Sequence, residues 1–215
     1  MKVCKVLNEL GVSYAVVGGV ACVLYGVRRL TTDIDVILEK LSEETIELLV
    51  KYLKREGYKL PLYEALSALR DEGHFTVITE DGFRIDFKYA RTSLDYESLE
   101  RTVQLEIHGV RVILTRLEEN IAAKIMVLES LKDLEDAVEL MLIHYDTIDR
   151  KRLARLLGKD PINAIKELMI GIETEFKDIM SQEFILYLPM VKSKPSQDSQ
   201  LLQRQLHLGL QHIET

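Results

Sequence analysis

The sequence predicts an α+β protein. A mixed β-sheet flanked by helices is expected over residues 1–115, a C-terminal helical bundle over 116–180 and a tail over 181–215. Short β-prone runs with period-2 alternation, such as Tyr14-Ala-Val-Val17 and Thr32-Asp-Ile-Asp-Val-Ile-Leu38, recur up to Thr115. From Leu117 to Ile179 the apolar spacing is helical instead. A composition of 47% hydrophobic and 29% charged residues in 215 suits one compact domain or two small ones, so disorder is not the default.

Val3, Val6, Leu7 and Leu10 make a first amphipathic helix that stops at Gly11. The strand Tyr14–Val17 then ends at Gly18-Gly19 and gives way to Val20, Val23 and Leu24 at helical spacing. Adjacent glycines remove Cβ atoms where backbone must come close to a ligand. The amides that open the next helix point at an anion, for which phosphate is the natural guest. Beyond it, alternation puts Asp33 and Asp35 on one face of a strand and Ile34, Val36 and Leu38 on the other. Neighbouring carboxylates repel, and such a pair is commonly held by a cation. Mg²⁺ takes one or two carboxylates together with substrate phosphates. A wet strand face that merely carries aspartates is the alternative.

Ser42, Glu43 and Glu44 open a helix that runs to Gly57, with Ile46, Leu49, Val50 and Leu53 inward. His74–Thr79 and Phe83–Tyr89 form a hairpin about the turn Glu80-Asp81-Gly82. Phe83, Ile85, Phe87 and Tyr89 make its apolar face, while Arg84, Asp86 and Lys88 point the other way. Asp86 is thus either a further metal-binding carboxylate or the partner of Arg84 or Lys88 on a solvated face. Leu105–Leu114, with a His108-Gly109 turn, adds another hairpin at the sheet edge. About four helices follow, with breaks near Tyr145-Asp146, at Gly158 and at Asp160-Pro161. The segment 189–215 reads as a loose linker with a short terminal helix that docks on a partner subunit.

Gly18-Gly19 followed by Asp33-x-Asp35 resembles the nucleotidyltransferase fold of the DNA polymerase β type. Its signature is Gly-Gly or Gly-Ser, a short helix, Asp-x-Asp and a third carboxylate on a later strand, for which Asp86 is the candidate. Leu117-Glu-Glu-Asn-Ile-Ala-Ala-Lys124 and Lys132-Asp-Leu-Glu-Asp136 are similar to the small nucleotidyltransferases related to abortive-infection type IV toxins. The resemblance implies transfer of a nucleoside monophosphate from a nucleoside triphosphate to a hydroxyl. Two Mg²⁺ ions would be held by Asp33, Asp35 and Asp86, with Asp86 on the acceptor side as general base. It also implies that Gly18, Gly19, Arg29, Lys124 and Asp136 bind the nucleotide, with Lys124 reaching the triphosphate. Asp133 or Asp136 would orient basic groups or the acceptor.

Lys124 with Glu129, or Lys132 with Asp136, reads equally as an ordinary exposed helical ion pair. Lys124 nevertheless interrupts Ile121, Ala122, Ala123, Ile125 and Met126, an apolar setting for a solvated charge. Gly19 stands where many active members carry serine. Arg28 or Arg29 supplies a replacement cation, or else caps the preceding helix. The acceptor implied is an RNA end or a protein, in a toxin–antitoxin pair with a cognate toxin or antitoxin as partner. The alternatives are an aminoglycoside-type small-molecule transferase and a non-catalytic member that binds a nucleotide or partner and regulates it.

A net charge of −7, from 28 Lys plus Arg against 35 Asp plus Glu, argues against a binder of long DNA. Arg150-Lys-Arg-Leu-Ala-Arg155 is the local exception, either an RNA-backbone contact or a solvated helix face. His74, His108, His144, His207 and His212 form no spaced cluster. No apolar run has membrane-spanning length and the N-terminus lacks a signal-peptide layout, so a cytoplasmic protein without membrane contact is expected. Cys4 and Cys22 fall in apolar helical stretches and read as reduced core residues.

Overall fold

Six strands form one mixed sheet in a computed structural model of the chain, which describes residues 2–71, 73–79, 82–128 and 130–175, with side chains up to 172. The elements of the first unit are α1 (Lys2–Glu9), β1 (Tyr14–Val17), α2 (Gly18–Leu24), β2 (Asp33–Leu38), α3 (Glu43–Arg55), α4 (Leu62–Arg70), β3 (His74–Ile78), β4 (Arg84–Tyr89), α5 (Ser93–Glu100), β5 (Thr102–Ile107) and β6 (Val110–Thr115). Then come α6 (Leu117–Val127), α7 (Leu131–Ile143), α8 (Arg150–Leu157) and α9 (Pro161–Glu175). The chain divides into compact units Met1–Asn120 and Ile121–Thr215, so the division falls inside α6. The boundary proposed at 115 and this division bracket the start of that helix. The linker and terminal helix expected after 180 lie outside the described residues.

In the first unit the strands run in the order β3-β4-β2-β1-β6-β5. β2 pairs with β4 and β1 with β6 in parallel, while the other neighbours are antiparallel. Alternation decides the two faces. Tyr14, Val16, Val36, Leu38, Phe75, Val77, Ile85, Phe87, Tyr89, Val112 and Leu114 point to one side and join residues of α1, α3 and α4 in a single core. Phe75 and Phe87 stack there at 4.9 Å between ring centroids. Asp33, Asp35, Arg84, Asp86 and Lys88 alternate with these core residues and stay off that face, none of them buried.

Local chemistry sets the element ends. Ser42 Oγ accepts the Thr45 amide at the start of α3, and Thr92 with Asp95 makes a reciprocal capping box on α5. Phe83 is a correction to the expected apolar face of the hairpin: it precedes β4 and is 49% exposed, while Ile85, Phe87 and Tyr89 are buried. The residues Glu80 and Asp81 of the expected turn lie outside the described ones. β5 and β6 pair about His108-Gly109, both at positive φ, and place β5 at the sheet edge.

In the second unit, Asp149 accepts the Arg152 amide at the start of α8, and Gly158 ends that helix at φ +67°. Asp160 accepts the Asn163 amide where Pro161 opens α9. The basic run on α8 is not a uniformly solvated face. Arg152 is buried, and the Arg150 guanidinium lies 4.2 Å from the centre of the Tyr145 ring. Among the described residues, no helix is long and apolar enough to cross a membrane.

Candidate active site

The parallel pairing of β2 with β4 brings the acids together. Asp35 is directly opposite Asp86, and Asp33 is opposite Arg84, one pleat along the same face. Asp86 Oδ1 accepts the Thr76 hydroxyl at 2.5 Å from the neighbouring strand and the Arg84 Nη2 at 3.0 Å. Of the two basic partners foreseen for Asp86, Arg84 is the one engaged. Lys88 instead meets Asp95 at 2.9 Å, a carboxylate already accepting the Arg91 and Thr92 amides. The hydrogen bond and charge of Asp86, with Asp33 and Asp35 adding to them, hold the Arg84 guanidinium above its ordinary pKa. This face therefore already draws a cation.

The glycine turn lies against these acids. Gly18 has φ +65°, and a Cβ there would fall inside the Asp35 carboxylate, so both backbone and space require glycine. A Cβ on Gly19 would be 3.0 Å from Thr31 Oγ1 and 3.1 Å from Arg29 Nη2. The Arg29 guanidinium thus lies beside the space a serine side chain would enter. The Gly18 amide, expected to face phosphate, donates instead to Asn120 Oδ1 at 3.0 Å. Asn120 is 1% exposed and its Nδ2 reaches Cys22 Sγ at 3.3 Å, so one side chain fixes both ends of the first turn of α2. Sequence reasoning missed it. Its signal is a lone amide beside Ile121-Ala122-Ala123, the same apolar interruption that draws attention to Lys124. Tyr25 donates to the Thr115 carbonyl at 2.7 Å, a packing role. Cys4 and Cys22 are buried and form no disulfide.

Lys124 and Asp136 belong to the second unit. The Lys124 ammonium lies 2.5 Å from Asp133 Oδ1 and 3.2 Å from Asp136 Oδ2, and Asp133 Oδ2 also accepts the Ser130 amide. All three side chains are largely buried, so these are not the exposed pairs of a solvated helix.

A divalent cation suits the donors of the first unit. They are carboxylate oxygens, the ligands hard cations prefer, and Asp86 Oδ2 carries no hydrogen bond among the described residues. Among the described residues, no three His, Cys, Asp or Glu side chains gather closely enough to hold an ion by themselves. Asp35 and Asp86 stand abreast with Asp33 one row out, and substrate phosphate and water commonly complete such a shell.

Residues 3–182 match the family described as nucleotidyltransferase of unknown function (DUF6036), and the chain belongs to that family. The six-stranded mixed sheet with its helices is consistent with the nucleotidyltransferase fold. No curated protein matches the chain. Among solved structures, it is similar to an antigenic nucleotidyltransferase-like protein from Paracoccidioides brasiliensis. The two share 18% identity over 77% of this chain and 89% of that one, with a TM-score of 0.47. It is also similar to the antibiotic-resistance factor ANT(2'')-Ia, at 15% identity over 82% of this chain and 94% of that one, with a TM-score of 0.49.

Proposed function

We propose that this protein is a Mg²⁺-dependent nucleotidyltransferase that moves a nucleoside monophosphate from a nucleoside triphosphate to a hydroxyl on an RNA end or a protein, within a toxin–antitoxin pair. The observation that supports the chemistry is the register that sets Asp35 beside Asp86, with Asp33 on the same face and the glycine turn against Asp35. Asp33, Asp35 and Asp86 would hold a divalent ion, which when bound would supply Lewis acidity at the α-phosphate and offset the charge of the pyrophosphate. Asp86 takes the proton of the acceptor hydroxyl as the hydroxyl oxygen bonds to the α-phosphorus and the bond from that phosphorus to the oxygen bridging to the β-phosphate breaks, releasing pyrophosphate. Arg29, beside Gly19, offers a guanidinium to phosphate where relatives use a serine hydroxyl. The toxin–antitoxin setting is supported by the likeness of Lys124 and Lys132–Asp136 to the abortive-infection proteins.

The test is incubation of the full chain with each α-labelled nucleoside triphosphate, Mg²⁺ and a total lysate, following label into RNA, protein and small molecules. Asp35→Asn is expected to lower transfer by about 10²–10³-fold, the scale of losing one group that stabilises transition-state charge. Label confined to small molecules would replace this reading with an aminoglycoside-type transferase, for which the net charge of −7 would suit a cationic acceptor. Nucleotide binding without any transfer would leave a regulatory binding protein.

A further inference from the structure

We propose that Arg84 is the built-in counter-ion of the metal site: it holds Asp86 when no divalent cation is present and yields that carboxylate to the ion when one binds. The inference rests on the metal reading of Asp33, Asp35 and Asp86 given above.

Three features of the face lead to it. Arg84 reaches along its own strand to Asp86 Oδ1 at 3.0 Å, although its neighbour across the ladder is Asp33. The guanidinium is thereby set among all three acids, which a divalent ion would claim. Secondly, the two hydrogen bonds on Asp86 differ in kind. Thr76 comes from the adjacent strand at 2.5 Å on a short, half-buried side chain, while the Arg84 side chain is 55% exposed on a flexible stem. Thr76 can keep the carboxylate oriented while the arginine swings away. Thirdly, Lys88, the other cation on this face of β4, is taken by Asp95 and does not compete for Asp86.

Arg84 occupies Asp86 Oδ1 and leaves Oδ2 to the ion, and the two cations repel at such range, so each weakens the other's hold on the carboxylate. Binding of the ion is then weakened by the fraction of molecules in which Arg84 is engaged. If that fraction is about nine-tenths, removing the arginine tightens the ion's binding about tenfold. Arg84 acts here through Asp86 and is a positioning residue.

The experiment titrates Mn²⁺ into the full chain without nucleotide and reads free ion by electron paramagnetic resonance. Arg84→Gln is expected to tighten Mn²⁺ binding by about 3–10-fold with an unchanged melting temperature. Arg84→Lys, which keeps the charge but loses the planar fork, should fall between the two. Lys88→Gln removes an equal charge from the same face and should alter Mn²⁺ affinity much less. Equal or weaker Mn²⁺ binding by Arg84→Gln, or an equal gain from Lys88→Gln, overturns the inference. Asp35→Asn run in parallel separates the two levels. If it weakens Mn²⁺ binding while Arg84→Gln changes nothing, only the counter-ion idea fails. If Asp35→Asn also leaves binding unchanged, or wild type binds no Mn²⁺, the metal reading fails with it.

Discussion

Two of the clusters among the described residues that pair a basic side chain with aspartate differ in how far water reaches them. On the sheet face that carries the acids, Arg84 and Asp86 are 55% and 25% exposed in their side chains. In the second unit, Lys124, Asp133 and Asp136 are 13%, 16% and 4% exposed. Water lowers the cost of parting an exposed pair, so its cation is exchangeable. A buried group deprived of its partner is left as an uncompensated charge, so the inner cluster is fixed. Similar residue types thus serve two ends, a replaceable cation where chemistry is proposed and a permanent one where helices must be held.

Lys124→Met should have the largest effect on folding, a loss of about 3–5 kcal/mol in urea denaturation, because two buried carboxylates lose their shared ammonium. Adding Asp133→Asn and Asp136→Leu should recover most of it. A single-variant loss below about 1 kcal/mol would place this cluster with the exposed pairs and erase the contrast. The triple variant also probes the nucleotide roles that resemblance gives Lys124 and Asp136. Restored stability with weakened nucleotide binding supports a role for that pair, and recovery of both makes the cluster a structural anchor.

A buried neutral contact should fall between the extremes. Asn120→Leu leaves the Gly18 amide without its acceptor and should cost about 1–3 kcal/mol, with a raised KM for nucleotide as the turn loosens. An unchanged KM would detach Asn120 from the site.

The smallest effect is expected at Gly19→Ser. The nearest atoms, Thr31 Oγ1 and the far end of the Arg29 side chain, must each give by a few tenths of an ångström, so a loss of about 1 kcal/mol is expected. If serine and arginine serve the same phosphate, Arg29→Gln should harm nucleotide binding less in the Gly19→Ser background. Additive losses in that double-mutant cycle would show that they do not.

Much of the site was legible because it is local. Gly18, Gly19, Asp33 and Asp35 lie on one strand–turn–helix–strand segment, and alternation alone assigned the face of Asp86. The partners were harder to see. Asp86 had two candidate bases at equal sequence spacing, and Asp95, which claims Lys88, lies on α5, a short helix with no apolar stripe whose buried residues are Asp95 and Ser98. Asn120 was hidden because its task is set by Gly18, a partner far away in the chain. Helix α4 went unforeseen as well. Its short run from Leu62 opens after Pro61 without a side-chain cap and buries only Ala65, Ala68 and Leu69.

Asp35 and Asp86 are neighbours in the sheet, yet α3, α4 and β3 separate them along the chain. Parallel strands cannot be joined by a tight turn, and pairings of such separation form late because the intervening loop must close first. A polypeptide still emerging from the ribosome therefore carries Asp33-Ile34-Asp35 for some time before β4 arrives to stand beside it. Until that strand docks, the nascent chain has the motif without the paired carboxylates.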